Sequence, residues 1–173
     1  MLPKLTFVIG GAASGKSAWA ENYLLSSQLA PVYLATARIL DGETKKKVNA
    51  HKSRRCDRWR TIEADLDLSG PLARLSETQA VLIDCATMWL SNHMLDNSDL
   101  SRAEDALLTA IHSCNAPVIV VSNEVGQGIV PDNALARQFR EAQGRLNVRL
   151  AEKADLAVLV TAGLPQALKG KLA

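Results

Sequence analysis

Residues 5–25 read "LTFVIGGAASGKSAWAENYLL", and the fold follows from how this stretch is parsed. Residues 5–9 are a short apolar run, the pattern of a strand buried on both faces. Trp19, Tyr23 and Leu24 recur at helical intervals, which predicts a helix after Lys16. Between the two lies "GGAASGKS", residues 10–17, which fits G-x-x-x-x-G-K-[ST] in full. A strand before that motif and a helix after it are the context in which its chemistry works. Glycine opens backbone conformations closed to other residues, so successive N–H groups can turn inward around a phosphate. The helix N-terminus adds partial positive charge. Gly10, Gly11, Ala12, Ala13, Ser14, Gly15, Lys16 and Ser17 are thus the expected phosphate cradle. Lys16 would reach the β- and γ-phosphates, and Ser17 would offer its hydroxyl to Mg2+.

Working outward, four more apolar runs predict strands: "PVYLAT" (31–36), "AVLIDC" (80–85), "APVIVVSNE" (116–124) and "DLAVLVTAG" (155–163). They lack polar alternation, which is how the strands of a covered parallel sheet read. Helical candidates lie at 41–51, 101–113 and 133–153, and "LDNSDLSR" (95–102) is the most loop-like stretch. The expectation is an α/β, P-loop NTPase-like three-layer fold with a mostly parallel central sheet, in one domain spanning residues 1–173. A P-loop wants an acid at the end of a neighbouring strand on the metal side, and Asp84 closes "AVLID". The protein is therefore expected to bind a nucleoside triphosphate with Mg2+.

The chain of 173 residues is 47% apolar and 22% charged, a globular rather than disordered composition. Cys56, Cys85 and Cys114 are odd in number and form no C-x-x-C pair, so neither a disulfide framework nor a zinc site is expected. That usage suits a reducing cytoplasm. The N-terminal apolar run is too short to span a membrane, and no transmembrane segment is expected.

The net charge is only +2, yet residues 45–60 alone carry +7, leaving the rest of the chain at −5. This basicity sits in "TKKKVNAHKSRRCDRWRTIE", residues 44–63. A charge run is most often a solvated face, and Lys45, Lys46 and Lys47 read that way. The second half is different, because His51 stands among Lys52, Arg54 and Arg55. Arginines beside a histidine can stabilise charge on a transferring phosphoryl or nucleotidyl group. A neutral imidazole can itself attack phosphorus. His93 and His112 read as packed or surface residues. Nucleic-acid binding is not expected, because aromatic content is 4% and the basic residues are not interleaved with stacking rings. Glu63 is a surface acid or a partner for the donor edge of guanine.

The segments "GGAASGKS", "YLATARILDGE", "HKSRRCDRWRTIE", "VLIDCATMWLSN", "VSNEVGQGIVPDNALARQFREAQGRLNVRLAEKAD" and "VTAGLPQALKG" occur in an order that resembles one family. It is the bifunctional adenosylcobinamide kinase / adenosylcobinamide-phosphate guanylyltransferase family of cobalamin biosynthesis. The P-loop is generic, whereas "NEVGQGIVP" (123–131) and the His-Lys-x-Arg-Arg segment before Trp59 are specific. The resemblance implies two transfers. One moves the γ-phosphoryl of ATP or GTP to adenosylcobinamide. The other moves GMP from GTP to adenosylcobinamide phosphate through a GMP-histidine intermediate, with Mg2+ required. It also implies a homotrimer. Carried over by position, His51 is the guanylylated nucleophile and Lys16 the phosphate-binding lysine. Thr36, Ala37 and Arg38 form the loop after the second strand. Lys52, Ser53, Arg54 and Arg55 follow the nucleophile, Glu63 contacts guanine, and Asp84 and Ser17 stand on the metal side.

The chain departs from that family at three points. Ala50 stands where some members place a second histidine, Cys56 where many have proline, and Ala13 where arginine is common. Two further readings compete: a nucleotide-dependent switch, which needs no covalent nucleophile, and a plain small-molecule kinase, which attaches no nucleotide to itself. "NEVGQGIVP" is either a structural turn or a place where Asn123 and Glu124 position substrate or metal.

Overall fold

The computed structural model describes residues 1–38 and 58–172. In chain order these form β1 (Leu5–Gly10), α1 (Lys16–Leu25), β2 (Ala30–Ala35), β3 (Arg60–Glu63), α2 (Ser69–Ala73), β4 (Gln79–Asp84), α3 (Ala86–Leu95), α4 (Leu100–Ser113), β5 (Val118–Asn123), α5 (Ala134–Lys153), β6 (Leu156–Thr161) and β7 (Leu164–Lys169). The strands make one seven-stranded sheet in the order β3-β2-β4-β5-β1-β6-β7. All pairings are parallel except that of β7, which returns antiparallel on β6.

The five strands expected from apolar runs are present, and their side chains divide by period two. Phe7, Leu34, Ile83 and Val120 enter one core with Trp89, Leu107, Leu146 and Leu150 from α3, α4 and α5. Val8, Leu82, Val121 and Val158 enter a second core with Ala20 and Leu24 of α1. A sheet covered by helices on both sides explains the continuous apolar runs. Arg149 of α5 bridges to Glu104 and Asp105 of α4, fastening two helices of the first layer together.

Two strands were not anticipated. β3, "RTIE", is short and mostly exposed. β7, "LPQALK", is exposed along its whole length and holds Pro165, which an edge strand tolerates. Helices α2 and α3 were also not anticipated. α3 buries Thr87 and Asn92 beside Trp89 and Leu90, so its sequence lacks a clean apolar face. The loop expected at 95–102 shrinks to 96–99, because Asp99 caps α4 by accepting from Arg102 N at 3.1 Å. The helical candidate at 41–51 lies outside the described residues. Among the described residues, no helix is long and apolar enough to cross a membrane.

Candidate active site

All six parallel strands end on the same edge of the sheet. Register aligns Gly10 of β1 with Asn123 of β5. It also aligns Ala35 of β2 with both Asp84 of β4 and Glu63 of β3. In α/β proteins this edge is where ligands bind. Three strand steps separate β3 from β5, and a fourth reaches β1. At about 4.8 Å per step, Glu63 lies roughly 19 Å across the sheet from Gly10. The expected site residues among those described are thus spread in a strip along the edge.

Residues 10–17 form the strand–loop–helix that the sequence predicts. Gly15 caps α1 with φ 90°, and Ala13 also has positive φ, at 55°. The loop closes on itself through Ser14 N donating to Gly11 O at 3.3 Å. Lys16 folds back over it, its Nζ donating to Gly11 O at 3.0 Å. Burial holds this ammonium below the usual lysine range, while the nearby Asp84 carboxylate acts in the opposite direction. A desolvated amine over a glycine loop is suited to receive phosphate charge.

Two neighbours brace the loop. Glu124 N donates to Gly10 O at 3.0 Å, and Gly163 N, in the β6–β7 turn, donates to Ser14 O at 2.8 Å. A Cβ on Gly15 would come within 2.9 Å of Gly163 Cα, which is backbone and cannot swing aside. A Gly15→Ala change meets that contact and a positive φ together. It is expected to cost about 1–3 kcal/mol of stability and to weaken GTP binding at least about tenfold, as the cradle opens. Chemical denaturation and calorimetry check the two effects.

Asp84 ends β4, and its Oδ2 accepts from the Tyr33 hydroxyl at 2.9 Å. Cys85 follows as the N-cap of α3, its Sγ accepting from Met88 N at 3.4 Å. Burial, with the nearby Asp84 charge, pushes the Cys85 thiol up to about 12, so it serves as a neutral cap and not a nucleophile. Ser17, in the first turn of α1, and Asp84 supply hydroxyl and carboxylate oxygens. That donor set fits a hard divalent cation which keeps phosphate and water as its other ligands.

Thr36 is fully buried, and its polar groups are committed locally. Its hydroxyl donates to Cys85 O and accepts from Cys85 N, both at 2.8 Å. Its amide donates to Asp84 O at 3.3 Å, and its carbonyl accepts from Asn92 Nδ2 at 2.8 Å. Thr36 thus locks the end of β2 to the β4–α3 junction. Arg38 grips Asp96 through both terminal nitrogens at 2.8 Å and Asp65 through Nε. These bonds raise the guanidinium pKa still further and hold both carboxylates below their usual range. Of the expected site residues, the structure brings the P-loop and Asp84 together, with Thr36 behind Asp84. Arg38 turns to the α3 end, and Glu63 stands at the β3 edge. His51, Lys52, Ser53, Arg54 and Arg55 lie outside the described residues.

The stretch 123–131 is braced by its own side chains and by α5. Glu124 folds back so that its carboxylate accepts from Gly126 N at 2.6 Å and Gln127 N at 3.2 Å. Arg137 and Arg140 of α5 donate to carbonyls of Pro131, Asp132 and Gly126. Beneath it, the Ser122 hydroxyl donates to Asn147 Oδ1 at 2.6 Å, and Asn147 Nδ2 donates to Asn123 O at 3.1 Å. Gln143 Nε2 donates to both Ser122 Oγ and Asn147 Oδ1 at 2.9 Å. This buried network fixes the end of β5 beside the phosphate cradle. Tyr33 is the residue that sequence reasoning missed. A tyrosine inside an apolar strand signals a buried hydroxyl that needs a partner.

The chain matches the family described as cobinamide kinase / cobinamide phosphate guanyltransferase over residues 6–168. The bifunctional adenosylcobalamin biosynthesis protein CobP of Pseudomonas aeruginosa is 39% identical over 167 residues, covering 95% of this chain and 96% of the relative. The protein CobU of Salmonella typhimurium, with the same description, is 38% identical over 181 residues, covering 95% and 99%. CobU of Escherichia coli is 35% identical over 181 residues, with the same coverage. Among solved structures, a prototypical ATPase from the type III secretion system of pathogenic bacteria superposes with a TM-score of 0.57 at 8% identity. It is covered over 57% of its length by 96% of this chain, a likeness of fold alone.

Proposed function

Because the chain belongs to the cobinamide kinase / cobinamide phosphate guanyltransferase family, we propose that it phosphorylates adenosylcobinamide and then transfers GMP to the product, in the biosynthesis of adenosylcobalamin. The observation that carries this reading is the loop of residues 10–17, with Lys16 folded over it and Asp84 nearby, in a chain that matches the family over residues 6–168.

In the first transfer, the cradle holds the triphosphate of ATP or GTP and Lys16 draws charge from its outer phosphates. The substrate hydroxyl oxygen forms a bond to the γ-phosphorus and the β–γ bridging bond breaks. A nucleoside diphosphate leaves, and the hydroxyl proton passes to solvent. Ser17 and Asp84 would hold Mg2+, which would supply neutralising charge to the triphosphate. In the second transfer, a His51 ring nitrogen forms a bond to the α-phosphorus of GTP as pyrophosphate leaves. A phosphate oxygen of the corrinoid then takes the GMP, and the histidine is restored. Lys52, Ser53, Arg54 and Arg55 would receive the pyrophosphate charge, Thr36 would stiffen the nucleotide loop it shares with Ala37 and Arg38, and Glu63 would accept from guanine.

The reading extends to a homotrimer in the cytoplasm. Leu164 and Leu168, exposed on the edge strand β7, support self-association. The test of the whole is protein labelling with Mg2+ and GTP. Label is expected to stay with the protein from the α-phosphate and not the γ-phosphate, stable to base and labile to acid. With ATP carrying γ-label, the corrinoid should become labelled. Transfer to corrinoid without any α-label on the protein would leave only the kinase.

A further inference from the structure

Tyr33 lies on the face of β2 that meets α1, and it is 5% exposed. Register sets it beside Leu82 of β4 and Thr61 of β3. Two residues further on, Ala35 is the partner of Asp84. The ring therefore runs along the sheet toward its ligand-binding edge, where the hydroxyl donates to Asp84 Oδ2 at 2.9 Å. On its other side, Trp59 stands edge-to-face with centroids 6.1 Å apart and planes at 82°. The geometry is that favoured by aromatic quadrupoles, and it fixes the tilt of the phenol.

A phenylalanine would fill the same volume. The hydroxyl therefore has a separate use, and it donates to the carboxylate of the expected metal-side acid. The terminal torsion of an aspartate is broad and roughly two-fold, so packing alone does not choose which way the oxygens face. A hydrogen bond to one oxygen chooses. Outer partners of this kind orient metal ligands, and their loss typically weakens metal affinity 10–100-fold.

We propose that Tyr33 is a positioning residue: its hydroxyl fixes the Asp84 carboxylate for the divalent cation that accompanies the nucleotide, and Trp59 holds the phenol in place for that bond. This rests on the reading of Asp84 as the metal-side acid. Tyr33 acts through Asp84 and touches neither nucleotide nor corrinoid.

The experiment is a Mg2+ titration of GTP binding, followed by calorimetry, for the unaltered protein and for Tyr33→Phe, Asp84→Asn, Trp59→Leu and the Tyr33→Phe/Asp84→Asn pair. Tyr33→Phe is expected to bind GTP in chelator as the unaltered protein does, within about twofold, yet to need about tenfold more Mg2+ for half-saturation. Trp59→Leu should show a smaller shift in the same direction. The double variant should be no worse than Asp84→Asn, because the hydroxyl has then lost its purpose. Additive effects, an equal loss in chelator, or an unchanged Mg2+ requirement in Tyr33→Phe would each overturn the proposal. If Asp84→Asn responds and Tyr33→Phe does not, the positioning role alone falls. If neither responds, the metal-side reading of Asp84 falls with it. Failure of the unaltered protein to bind GTP at all would instead remove the nucleotide reading.

Discussion

A His51→Ala variant given Mg2+ and GTP labelled at the α-phosphate is expected to carry no label through a denaturing gel, where the unaltered protein keeps it. The reason is covalent. A phosphorus–nitrogen bond survives denaturation, whereas a nucleotide held by hydrogen bonds and charge does not. Alanine cannot form that bond, and no water placed in the gap reproduces its two-step path. GMP transfer to the corrinoid phosphate should then fall about 10⁴-fold or more, the order seen when a covalent nucleophile is removed from an enzyme. Transfer of the γ-phosphoryl uses other groups and should stay within about threefold. Retained α-label in the variant would move the nucleophile to another residue.

Lys16→Met should do the reverse. It removes the cation that draws charge from the outer phosphates while keeping an unbranched side chain of similar length over the loop. Phosphoryl transfer is expected to fall about 10²–10³-fold, the usual cost of losing one preorganised donor to developing charge. Stability should move the other way. Burial lowers the pKa of this lysine in the folded protein. Between that lowered value and the ordinary 10.5, the unfolded chain binds more protons, so stability rises with pH in that window. Below that window the penalty for burying the charge is fully present. Methionine carries no such penalty, so the variant should melt at or above the temperature of the unaltered protein. A melting temperature well below it, by calorimetry, would mean that Lys16 is a structural prop.

What could be read directly from the sequence was what is local. The run of residues 5–9, the glycines and Lys16 lie within a dozen positions, and their geometry is set by their own backbones. The strands of the sheet interior announced themselves because both of their faces are buried. β7 did not, since it has no buried face to impose a pattern, and β3 was too short. α3 hid because its inward side carries Thr87 and Asn92 for hydrogen bonds to β5 and to Thr36, just past β2, as well as apolar groups. Asp84 was legible as an acid closing an apolar strand. Its link to Tyr33 spans 51 positions, and that of Arg38 to Asp96 spans 58, so only the folded sheet brings these pairs together. The roles proposed for His51 and Glu63 rest on resemblance to a family, because the residues alone left each of them with a plain surface reading beside the functional one.

The bond from Gly163 to Ser14 ties the last strand pair to the proposed phosphate-binding loop. A force applied beyond Lys169 would act on β7, an antiparallel edge strand that comes away one hydrogen bond at a time. Parallel strands in the sheet interior resist as a block. Pulled from that end, the molecule would lose its β6–β7 turn, and with it the floor under Ser14 and Gly15, while both cores were still intact. Its mechanical weak point and the loop proposed to hold nucleotide would therefore be the same place.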